Sequence, residues 1–155
     1  MADLPRIDEH AVSIEAPVAA AWAALLDTIG GPTSRPLGGA YARAVGCRPA
    51  RARGPRPLEA GSTVPGFAVV SAVPEEELAL AGRHAFSTYE LVFRLQAVGV
   101  DGSEVRAESR ATFPGPHGLL YRTLVIGTGF HVVAVRRLLG TVRRRAEDLA
   151  RRAPG

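Results

Sequence analysis

Lysine and asparagine are absent from the 155 residues, and cysteine, methionine and tryptophan occur once each. A lone Cys47 excludes an internal disulfide and suits a reducing compartment. The four histidines (His10, His84, His117 and His131) show no i,i+4 pairing, so with Cys47 they make no metal-ligand pattern. No Gly-rich phosphate loop follows a strand; Gly127-Thr128-Gly129 lies in a helical pattern and lacks the further glycine. No cofactor is therefore expected. The polar start of the chain has no apolar stretch of the signal-peptide kind. The longest uncharged run near the C-terminus, between Arg122 and Arg136, is shorter than the roughly 20 residues a spanning helix needs. The expectation is a cytoplasmic protein with no integral membrane segment.

What is present is an ordinary globular composition, 46% apolar and 22% charged, in a length that fits one domain spanning residues 1–155. All 19 basic residues are arginine, and the net charge is +4. Abundant Ala, Gly, Pro and Arg without Lys or Asn resembles a codon bias toward GC-rich triplets. Aromatics are not interleaved with the arginines, so nucleic acid is not an expected partner.

Residues 7–14 mix apolar Ile7, Val12 and Ile14 with polar Asp8, Glu9 and Ser13, which reads as an edge strand. Pro17 then precedes a helical stripe of Val18, Ala21, Trp22, Leu25, Leu26 and Ile29, closed by Gly30 and Gly31. Residues 32–60 carry five prolines and six arginines and read mostly as loop. Strands follow at Phe67–Val73, after a turn at Pro74-Glu75-Glu76 in the alternation from Leu78 to Phe86, and from Tyr89 to Gln96. Asp101-Gly102 marks a hairpin turn, and Val105, Ala107, Ser109, Ala111 and Phe113 alternate with charged residues beyond it. A long helix closes the chain, with Leu124, Thr128, His131, Val135, Leu138, Leu139, Val142, Ala146 and Leu149 in one stripe and arginines on the opposite arc. Gly127 and Gly129 either kink this helix or mark its start.

The alternation predicts an α+β fold: a curved antiparallel sheet of about six or seven strands around a long C-terminal helix, with one or two short helices near the N-terminus. The segments VSIEAPVAAAWAALLD (12–27) and FPGPHGLLYRTLVIGTGFHVVAVRRLLGTVRRRAE (113–147) resemble the START-like, or helix-grip, superfamily of polyketide cyclase-like and lipid-transfer proteins. That resemblance implies a cavity between sheet and helix that binds a small hydrophobic molecule of the lipid, sterol or polyketide kind. Its alternative implication is a polyketide cyclase/aromatase-type enzyme using His131 or Tyr89 for proton transfer. No catalytic motif is matched, so no catalytic residue is carried over.

The expected pocket lining is Phe67, Val69, Leu80, Leu91, Phe93, Leu124 and Val135, with Ser71, His84, Tyr89, Ser109 and His131 as its polar members. Ser71, His84 and Glu90 do not make a triad, because Glu90 alternates away from Tyr89 and no nucleophile elbow surrounds Ser71.

Overall fold

A computed structural model of the chain describes residues 4–30, 54, 57–64, 67–84, 87–112, 115–116 and 130–153. Of the expected site, Leu124 lies outside them, as does most of the Pro/Arg-rich segment 32–60.

The chain runs β1 (Arg6–Ile14), α1 (Val18–Gly30), β2 (Thr63–Val64), β3 (Phe67–Val73), β4 (Glu77–His84), β5 (Ser87–Val98), β6 (Gly102–Thr112) and α2 (Phe130–Arg152). Six strands form one antiparallel curved sheet in the order β1-β6-β5-β4-β3-β2. β1 is thus an edge strand paired to β6 across the whole chain, as its mixed polarity predicts. Helix α2 packs on the sheet and against α1. Its described span is Phe130–Arg152, and the expected kink or start at Gly127 and Gly129 lies outside the described residues.

Register explains the two faces. Leu78 pairs with Phe93, Leu80 with Leu91, and in turn Phe93 with Ala107 and Leu95 with Val105. These residues build the core with Val69 and Ile14 from the sheet, Leu25 from α1, and Val135, Leu139, Val142 and Ala146 from α2. Trp22 packs against this core half-buried. Phe93, Leu25, Val105 and Val142 are fully enclosed. Burying each such side chain is worth about 1.5–3 kcal/mol. On the opposite face Glu90 pairs with Arg110 and Arg94 with Arg106, the alternation expected of a sheet with one face in water.

Local contacts hold the helices in place. The carbonyl of Pro17 accepts from the amides of Ala20 and Ala21 at 3.0 and 3.1 Å, which starts α1. Buried Ser103 donates its hydroxyl to the carbonyl of Ala16 at 2.9 Å, fixing the approach to α1 against β6. Gly30 is needed where α1 ends, because a Cβ there would lie 2.7 Å from Leu58 Cγ. Leu58 is itself buried, an anchor that the loop-like sequence around it does not advertise.

Two details correct the expectations. The β5–β6 turn occupies Gly99 to Asp101, and Gly102 is already paired with Val98. The residue that adopts positive φ is Gly99, at 66°. Gly102 is required for a different reason, since a Cβ there would meet the carbonyl oxygen of Val98 at 2.7 Å. The second detail is a bulge in β3. Val69 pairs with Leu80, but Ser71 pairs with Ala79, leaving Val70 extra.

Candidate inner-face site

The inner face of the sheet is a set of ladders that change in character along the strands. Toward the end packed by α1 and the C-terminal half of α2, Val105, Phe93 and Leu78 are fully buried. Toward the other end, Tyr89 and Leu91 of β5 and Phe67 of β3 are only half-buried. Tyr89 and Phe67 meet edge-to-face, with ring centroids 5.2 Å apart and planes at 73°. Tyr89 pairs with Gly82 on one side and Ala111 on the other, both small, which leaves its ring flanked by low walls.

Of the sequence-predicted lining, Phe67, Val69, Leu80, Tyr89, Leu91, Phe93 and Ser109 share this inner face by register. Val135 joins them from α2 in the buried core. Residue 84 falls at the end of β4 in the same alternating set as Leu80 and Gly82, opposite Ser87. Residue 131 lies in the first turn of α2, about one turn before Val135. The side chains of residues 84 and 131 lie outside the described residues.

Ser71 is corrected. Strict alternation from Phe67 puts it inward, but the bulge at Val70 shifts the parity, and Ser71 lies with Ala79 and Val92 on the outer face. There it lines a groove with Glu90, Arg94 and Arg110. Ala72 takes the inward place and packs on the core.

The structure adds two polar residues that simple alternation does not reveal. A second bulge separates Arg6, which pairs with Arg110, from Asp8, which pairs with Ser109. From Asp8 onward the parity is regular, so Asp8 and His10 face inward with Val12 and Ile14. Nε2 of His10 lies 3.2 Å from Oδ2 of Asp8, and each side chain keeps only 17% of its surface exposed. Asp8 stands opposite Ser109, which is only 3% exposed, and His10 stands opposite Ala107, itself next to Phe93. A signal is present in the sequence: Asp8 and His10 have the parity of Val12 and Ile14. It is masked because Ile7 has the opposite parity and suggests the other face.

Outer-face charges behave differently. Glu108 is buried to 4% exposure and accepts from Arg110 Nε at 2.6 Å and Arg94 at 3.0 Å, with Arg6 at 3.3 Å. The Arg110 hydrogen bond, partly opposed by burial, holds this carboxyl below its ordinary range. On α2, Arg143 pairs with Glu147 at 3.2 Å, Arg145 with Asp27 of α1 at 3.0 Å, and Arg151 with Asp148. Acids interleaved with arginines in this way make a solvated face. Among the described residues no cluster of three or more His, Cys, Asp or Glu side chains could hold a metal ion, and no helix is long and apolar enough to cross a membrane.

No family model and no curated protein matches the sequence. Solved structures do. The aromatase/cyclase from Streptomyces sp. R1128 is similar at a TM-score of 0.61 and 14% identity, over 98% of this chain and 99% of that one. A Thermus thermophilus protein is similar at 0.59 and 14%, over 96% and 100% of the two chains. A polyketide cyclase-like protein from Corynebacterium glutamicum is similar at 0.52 and 11%, over 96% of each chain. Such likeness, spanning the chain end to end at low identity, establishes the fold: strand, helix, antiparallel strands and closing helix follow the helix-grip arrangement that the sequence resemblance implies.

Proposed function

We propose that the chain binds a small hydrophobic molecule of the lipid, sterol or polyketide kind between the inner face of the sheet and α2. The observation that supports this is the gradient along the inner face. A wall meant only to be filled would bury Phe67, Tyr89 and Leu91 as completely as Phe93 and Leu78, whereas the former are half-buried. Large apolar side chains left partly accessible on a concave wall are what an apolar ligand covers. The names of two fold neighbours, an aromatase/cyclase and a polyketide cyclase-like protein, point to the polycyclic end of that range.

Native mass spectrometry of freshly purified protein, followed by organic extraction, tests this reading. A discrete co-purifying mass, or a thermal shift with sterols or aromatic polyketides, is the expected outcome. A clean unliganded mass with no thermal shift across lipids, sterols and aromatic polyketides contradicts it.

A second reading makes the same wall catalytic, as a polyketide cyclase/aromatase-type enzyme with Tyr89 or His131 moving protons. It draws support from the position of Tyr89, half-buried on the inner face within the same sheet as Asp8 and His10. Tyr89→Phe and His131→Phe separate the two. Lost turnover with retained binding supports an enzyme, and weakened binding without any measurable turnover in the parent supports a binding protein.

A further inference from the structure

The Asp8–His10 pair narrows the class of ligand, on the reading that the inner face binds one. We propose that His10 is a hydrogen-bond acceptor that selects neutral, hydroxyl-bearing apolar ring compounds, of the phenol or enol type. The register of β1 places His10 on the inner face, in line with Ala107 and Phe93, where every other neighbour in that ladder is apolar. Its Nε2 is held 3.2 Å from Oδ2 of Asp8. An ionised carboxylate only accepts, so Nε2 carries the hydrogen, and in the neutral ring Nδ1 is then an acceptor and nothing else. Among the described residues the only hydrogen-bond partner of the His10 side chain is Asp8, through Nε2, which leaves Nδ1 for a molecule that enters.

The chemistry of the pair excludes as well as selects. An anionic headgroup such as a fatty-acid carboxylate has no hydrogen to donate, so an accepting Nδ1 gives it nothing to bind. A ligand that offers only a carbonyl or ether oxygen presents a second acceptor to Nδ1 and forms no hydrogen bond. A hydroxyl on an aromatic or enolic ring supplies the donor, while its ring covers the apolar wall beside it. In the neutral ring, fixing the tautomer through Asp8 also removes the alternative in which Nδ1 donates.

The test compares 2-naphthol with 2-methylnaphthalene, two rings of matched size that differ by hydroxyl against methyl. Calorimetric titrations of the full chain at about pH 8 read the preference directly. The expected result is 2-naphthol bound about fivefold more tightly, the size of one neutral hydrogen bond. His10→Phe is expected to erase that preference while leaving 2-methylnaphthalene binding within about twofold. Long-range proton–nitrogen spectra of the unmutated protein give an independent readout if the variant folds poorly. Nδ1 of His10 should shift with 2-naphthol and stay in place with 2-methylnaphthalene. Equal affinities for the two compounds, or an unmoved Nδ1, overturn the role of His10 and leave the binding reading intact. Binding of neither compound overturns the binding reading and this inference with it.

Discussion

Glu108 is a carboxylate on the solvent side of the sheet that is nonetheless buried, because Arg6, Arg94 and Arg110 close over it. Its carboxyl is lowered in the folded protein, chiefly by the hydrogen bond from Arg110. The sign of the linkage follows. A depressed carboxylate contributes stability that is present above its unfolded value, about 4.3, and is lost as pH falls through the lower folded value. Glu108→Gln should therefore cost about 1–2 kcal/mol near neutral pH, and the gap to wild type should close below about pH 4. Denaturant titrations of both proteins at pH 7 and in that acid range check it. A gap that does not change with pH would deny the ion cluster its role. Inside the sheet the terms are different. Phe93→Ala should cost about 3–5 kcal/mol, since the ring is fully buried and the ladders on both sides cannot collapse onto the space. Leu91→Ala, one ladder away but half-buried, should cost less in stability. On the reading proposed here it should also weaken ligand binding, which Phe93→Ala would do only through unfolding.

Helix α2 stabilises the molecule through its buried stripe, with its charges a minor contribution. Leu139 and Val142 are almost fully enclosed, whereas Arg145 and Asp27 join α2 to α1 across an accessible surface. Leu139→Ala should cost about 2–5 kcal/mol and Arg145→Ala at most about 1 kcal/mol. Thermal melts of the two variants rank them, and a larger loss from Arg145→Ala would mean that the helix is held by charge. Legibility of the elements follows from their regularity. β5 and β6 pair without interruption from Thr88–Thr112 to Val98–Gly102, so alternation assigns their faces correctly. The strands that carry bulges do not read that way. One extra residue at Val70 puts Ser71 outside, and one at Ile7 disguises the inward parity of Asp8 and His10. A bulge leaves no compositional mark in either segment, so periodicity alone assigns Ser71 to the wrong face and leaves the faces of Asp8 and His10 unassigned. The hairpin turn misleads for a related reason. Asp-Gly is a strong hairpin signal, but the sterically demanding position is Gly99, where φ is 66°, and Gly102 serves a close approach to Val98.

At the scale of the whole molecule, the element order carries most of the information, which is why the helix-grip likeness in residues 12–27 and 113–147 agrees with the fold of the aromatase/cyclase at a TM-score of 0.61. The site is less legible, because a curved sheet makes one face concave without any motif, and the same apolar alternation serves a filled core and an open one. The difference lies in degrees of burial along the wall, from enclosed Phe93 to half-buried Leu91 and Tyr89. The most direct test of that difference is a methyl- and aromatic-labelled NMR titration with 2-methylnaphthalene. Binding on the inner face predicts saturable shifts at Leu91, Tyr89 and Phe67, with the outward-exposed Val70, Val73 and Val133 unmoved. Shifts confined to those outer valines, or none at any concentration the compound reaches, would contradict an inner-face binding site.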